Sequence, residues 1–110
     1  MTRRAWEPPL FEWTQLGPVP IELSDAVTDD TGNKLAGCAL IYDRRVILDS
    51  GLEDRAMRVV HYHEMVHLWL HDAGVVIPEG LEEVVCTALA SALVAREDFH
   101  AAGGVPEVET

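Results

Sequence analysis

Apolar residues recur along this chain with two different periods. Residues 19–27, VPIELSDAV, alternate loosely between apolar and polar, the period of a half-buried strand. DDTGN at 29–33 is a strong turn signal. KLAGCALIYDRRVILDS then offers two apolar runs separated by Asp43, Arg44 and Arg45. That pattern predicts a β-hairpin with strands near 35–42 and 46–49. Beyond it the period lengthens. No breaker interrupts the chain from residue 51 until Gly74, Ser50 and Glu53 stand at capping-box spacing, and Gly74 suits the position just past a helix end. One long helix over 51–73 is therefore expected, with Leu52, Ala56, Val59, Val60, Val66 and Leu70 clustered on one face. In the connector VVIPEG, Pro78 cannot continue that helix but suits the start of another. Leu81, Val84, Val85, Ala88, Leu89 and Ala92 then recur at helical spacing, predicting a second helix over 81–98.

The ends read differently. Trp6, Pro8, Pro9, Trp13 and Gly17 make residues 1–17 too irregular for a helix and too aromatic for a free linker, so an irregular arm laid over the core is expected. AAGGVPEVET at 101–110 reads as a fraying, disordered tail. With no internal repeat, the whole chain reads as a single α+β domain, residues 1–110. Its expected architecture is a small antiparallel sheet or hairpin packed on one long helix and a second, C-terminal helix.

Composition narrows the class. A chain of 110 residues with 48% hydrophobic content can bury one core. Eight Lys and Arg against nineteen Asp and Glu leave a formal charge of -11, which repels a phosphate backbone and argues against direct nucleic-acid binding. No stretch approaches the ~20 apolar residues of a membrane span, and the start lacks the apolar run of a signal peptide. A cytoplasmic protein is expected. Cys38 and Cys86 are too few for a disulfide framework and read as reduced, partly buried thiols.

The candidate chemistry lies in HYHEMVHLWLHDAG at 61–74, which holds four of the five histidines. His63-Glu64-Met65-Val66-His67 is an H-E-x-x-H sequence inside the expected helix. Residues four apart project from neighbouring turns of one face, so two imidazoles can converge on one metal ion while Glu64 reaches a water beside it. The bland alternative is a core helix with two neutral, hydrogen-bonded histidines and a surface glutamate. His61, two positions before His63, points to the opposite side. His71 lies eight residues beyond His63, about 12 Å along the helix axis, too far to share an ion held by ~2 Å bonds. It fits the cleft edge, the helix end or an outer shell. A third ligand should come from the second helix, where Glu79, Glu82 and Glu83 are the candidates. Helical phase mildly favours Glu82 over Glu83, because Glu82 shares a flank with Cys86, Leu89 and Leu93.

HEMVHLWLH, preceded by LIYDRRVILDS and followed by EEVVCTALASALV, resembles the ImmA/IrrE-like zinc metallo-endopeptidases, a gluzincin-type family found in phages, mobile elements and bacterial stress responses. The resemblance spans about residues 40–94. Its first motif is sharp, and its second, roughly E-x-x-A-N, is loose. It implies a minimal zincin-like fold, a bound zinc ion (Zn2+), His63 and His67 as ligands, Glu64 as general base, and His71 as the family's frequent further histidine. It also implies Glu83 as the acidic ligand, because Cys86 then matches the Ala and Thr87 the Asn. Thr87 in place of Asn departs from the pattern and would bond a ligating imidazole through its hydroxyl.

The function this implies is a zinc-dependent metallopeptidase that hydrolyses a protein or peptide, with transcriptional repressors the substrates typical of the family. An exposed strand edge would bind the substrate by strand addition. Tyr42, Tyr62 and His100 are the candidates for stabilising an oxyanion. The alternative, from another class, is a non-catalytic zinc-binding interaction protein of phage or mobile-element origin. The retained Glu64 argues against it, since a structural zinc site needs no base and usually has four protein ligands.

Overall fold

A computed structural model describes residues 6–104. The expected α+β class is observed, as a four-stranded mixed sheet packed against two helices. The strands are β1 (Phe11–Thr14), β2 (Gly17–Ser24), β3 (Gly37–Leu40) and β4 (Arg45–Asp49), in the spatial order β1-β2-β4-β3. Helix α1 spans Asp54–Asp72 and α2 spans Glu79–Ala101.

The predicted hairpin is present, β3 pairing antiparallel with β4 from Gly37↔Leu48 to Leu40↔Arg45. Its turn holds Arg44 at φ 55°, and the guanidinium makes a two-pronged contact with the Asp72 carboxylate, both bonds 2.9 Å. The 29–33 turn also forms as expected: Asp29 Oδ1 accepts the Thr31 and Asn33 backbone N–H groups.

Four expectations are corrected. The sheet is mixed rather than antiparallel, because β4 inserts between β3 and β2 and runs parallel to β2. Part of the presumed arm is a strand: Phe11–Thr14 pairs antiparallel with β2. The prolines that obscured this are accommodated by strand alternation. The Ile21 N–H bonds Leu10 O on the β1 side, so Pro18 and Pro20 direct their missing donors to the other side. There β4 pairs only from Ile21 onward.

The third correction concerns the start of α1. No capping box forms; the helix begins at Asp54, with Glu53 at the N-cap making no side-chain capping bond. Asp49, at the end of β4, instead holds residues 50–52 in a turn, accepting from Gly51 N through Oδ1 and from Leu52 N through its carbonyl. At the other end Gly74 takes a left-handed conformation, φ 71°, as the sequence predicts.

The fourth is which helical faces are buried. On α1 the core-facing residues are Met57, His61, Met65 and Leu68, which meet Val19, Ile21, Val46 and Leu48 of the sheet. Of the face predicted from periodicity, only Val66 is buried; the rest is half-buried flank. On α2 the buried residues are Cys86, Ala90 and Val94, whereas Leu81, Val84, Ala88, Leu89 and Ala92 are exposed. The reason is layering. Among the described elements α2 touches α1 alone and never the sheet, so one narrow stripe suffices to seat it. The expected tail begins in order, since α2 runs to Ala101 and a turn follows to residue 104; residues 105–110 and 1–5 lie outside the described chain. No helix of the described residues is long and apolar enough to cross a membrane.

Candidate metal centre

Helix α1 carries His63 and His67 on the flank between β3 and α2. One helical turn apart, their ring centroids lie 5.1 Å from each other. The connector over 73–78 brings the start of α2 alongside, and the Glu83 carboxylate spans the two imidazoles. Glu83 Oε2 is 3.1 Å from His63 Nε2, and Oε1 is 2.8 Å from His67 Nε2. The three residues offer ligand atoms all within 4.8 Å of one another. Two imidazole nitrogens and a carboxylate are a donor set suited to zinc.

The other ring nitrogens have partners too. Glu82 Oε2 lies 2.6 Å from His67 Nδ1, and Thr87 Oγ1 lies 3.4 Å from His63 Nδ1. A carboxylate or hydroxyl on the far nitrogen fixes tautomer and ring orientation, leaving Nε2 free to ligate. Helical phase favours Glu82 as the third ligand, but in the structure Glu82 meets the outer nitrogen of His67, while Glu83 meets both Nε2 atoms and joins the ligand group. Glu79 belongs to no such group among the described residues.

Glu64 lies beside this group in a groove of about 370 Å³, walled by Leu35, Gly37, Cys38, Ala39 and Ile41. Burial pushes its carboxyl above the ordinary value; the two imidazoles pull it down, Glu83 adds to the rise, and the Ala39 backbone N–H lowers it. Neither that N–H nor the close packing of Gly37 on Val60 of α1 could be read from spacing or periodicity. β3 is an outer strand of the sheet, so the groove runs along a strand edge that is unpaired among the described residues. It continues past Ala39 and Ile41 to Tyr42 and Asp43, and on the other side past Gly37 to Val59 and Thr87.

The remaining candidates separate cleanly. His71 is exposed at the end of α1, its ring 6.1 Å from that of Tyr42, and it stands outside the ligand group. Tyr42 is at the groove's end. Tyr62 donates to Glu97 Oε2 at 2.9 Å, about 21 Å farther along α2 than Glu83, and burial with that carboxylate pushes its hydroxyl up to about 12. His100 is exposed at the far end of α2. Neither Tyr62 nor His100 faces the groove. His61 points into the core, 1% exposed, where Trp6 and Tyr62 flank its ring and burial lowers its pKa against the opposite pull of Glu12. The neutral ring donates from Nε2 to Glu12 Oε2 at 3.0 Å, and its Nδ1 is unpartnered. Both cysteines are free thiols; burial pushes Cys86 up to about 12, so it stays protonated.

Compared with family models, curated proteins and solved structures, the chain has no match.

Proposed function

We propose that this chain is a zinc-dependent metallopeptidase of the kind its H-E-x-x-H sequence resembles. The observation that carries the reading is the Glu83 carboxylate reaching from α2 to both Nε2 atoms of a His-x-x-x-His pair whose neighbour, Glu64, opens onto the same groove. His63, His67 and Glu83 would hold the ion. A zinc ion bound there supplies a Lewis acid for a carbonyl and brings the pKa of water towards ~7.

The chain's own residues account for the rest. Glu64, held in low dielectric, takes a proton from the attacking water and returns it to the leaving amine nitrogen, acting first as base and then as acid. The edge of β3 binds the substrate backbone in extended form, so recognition rests on main-chain hydrogen bonds with side-chain pockets to either side. Protein or peptide is the substrate class this edge fits, transcriptional repressors included.

Glu64→Gln is the decisive variant. It should keep one zinc per chain by metal analysis and an unchanged circular dichroism spectrum, while cleavage of an unfolded protein substrate falls by at least ~10²-fold. Retained cleavage would refute the mechanism. A metal-replete chain that purifies without stoichiometric zinc would refute the site.

A further inference from the structure

We infer that Tyr42 and Asp43 select substrates carrying a lysine or arginine side chain to one side of the scissile bond. The inference rests on reading the groove as a peptide-binding site. The Asp49 N–H bonds Ala36 O, so Cys38 and Leu40 bond β4 in turn, and Gly37 and Ala39 direct their main-chain groups to the open edge. The Ala39 N–H meets Glu64, which sets the reacting bond beside Ala39. From there the strand leads to a cavity of about 460 Å³ lined by residues 39–43, where the chain turns.

Three observations give that cavity a preference for cations. No lysine or arginine lines it, nor the adjoining cavities around His63 and Glu64. The two arginines that follow Asp43 in the turn are engaged elsewhere, Arg44 with Asp72 and Arg45 with Glu22. Asp43 is exposed and makes no ion pair or side-chain hydrogen bond among the described residues. Beside it Tyr42 is 94% exposed, its ring in T-shaped contact with that of His71. Both residues line the cavity, so a carboxylate and an aromatic ring face one space. That pair holds an ammonium or guanidinium by charge and by cation–π attraction.

Charge balance localises the effect. The Glu64 and Glu83 carboxylates match the two positive charges of a zinc ion, and Glu82 stands behind His67, outside the groove lining. Asp43 is then the unbalanced charge of the groove. At ~3.3 Å per residue, it lies roughly two to four substrate residues from the reacting bond. An exposed ion pair and an exposed cation–π contact are each weak, so the preference should be about 3- to 10-fold.

Affinity tests this apart from turnover. Short labelled peptides of neutral residues, carrying one arginine, one glutamate or neither, are titrated by fluorescence anisotropy into the zinc-loaded Glu64→Gln chain, the charge lost at residue 64 being common to every arm. The arginine peptide should bind about 3- to 10-fold tighter than the neutral one, and the glutamate peptide more weakly than either. Adding Asp43→Asn should abolish the arginine preference, and adding Tyr42→Ala should reduce it. Asp25→Asn removes the same charge beyond Ser24, whose partner Asp49 is at the end of β4 farthest from the turn, and should leave the preference intact. Equal affinity for the arginine and neutral peptides overturns the inference whether or not the Asp43 variant folds, and so does no measurable binding of any peptide. A preference that survives Asp43→Asn, or falls equally with Asp25→Asn, also overturns it, because net charge alone would then be its source. Cleavage by the wild-type chain reports on the catalytic reading separately. Peptides cut without an arginine preference in binding would keep that reading and sink this inference; Asp43-dependent binding without cutting would do the reverse.

Discussion

Consecutive glutamates in α2 do different work because one helical step turns them by about 100°. Glu83 reaches Nε2 of both histidines, Glu82 reaches Nδ1 of His67, and Thr87, one turn on from Glu83, reaches Nδ1 of His63. Their removal should separate accordingly in zinc titrations. In the proposed centre Glu83→Ala would delete a ligand and should cause the largest loss of affinity. Glu82→Ala deletes an orienting partner and should weaken binding by about 10–100-fold, the range for such contacts. Thr87→Ala, whose contact is long at 3.4 Å, should have the smallest effect. The opposite order for Glu82 and Glu83 would identify Glu82 as the ligand.

β3 crosses α1 at close range. A Cβ built on Gly37 would sit 2.5 Å from Val60 Cγ1 and 3.3 Å from both Ile47 O and Leu48 Cδ2, so only glycine lets the strand approach. Gly37→Ala should cost about 1–3 kcal/mol in urea unfolding, the range for overpacking. Adding Val60→Ala should recover part of it by removing the first contact, and a double variant no more stable than the single would assign the cost to the Ile47 and Leu48 contacts. This close approach was invisible in the sequence, whereas the elements it joins were largely legible. Strands β2, β3 and β4 and both helices follow from periodicity and turn chemistry. β1 does not, because Pro8, Pro9, Pro18 and Pro20 suppress a strand reading, and only the pairing partner shows that the missing donors of Pro18 and Pro20 fall on the side away from β1. The buried faces were legible only in part. Periodicity reports an apolar stripe but not what covers it, so the α2 stripe read as core lies in the open. At the site, His63, Glu64 and His67 could be read from spacing alone. Which glutamate joined them depended on the crossing of α2 over α1, which no one-dimensional pattern specifies.

At the scale of the whole molecule, the Arg44–Asp72 pair ties the hairpin turn to the end of α1. The Asp72 side chain is fully covered, and Arg44 holds its carboxyl below the ordinary value of 3.8, chiefly through their hydrogen bonds. The unfolded chain thus takes up this proton at higher pH than the folded one. The contribution is complete above about pH 3.8 and disappears as the pH falls through the lower folded value. Asp72→Asn should lose about 1.5–3 kcal/mol near neutrality by urea unfolding, and its deficit against wild type should shrink below that pH. An undiminished deficit in acid would mean that packing, not charge, sets the contribution. The layers themselves form a linear series among the described elements, the sheet bound to α1 and α1 to α2. A metal held by two side chains of α1 and one of α2 would therefore be a clasp on the joint that carries the outermost layer. Chelation should loosen the outermost layer first: amide exchange should quicken along α2 while the amides of β2 and β4 keep their protection, so that metal content is read out as the attachment of a single helix.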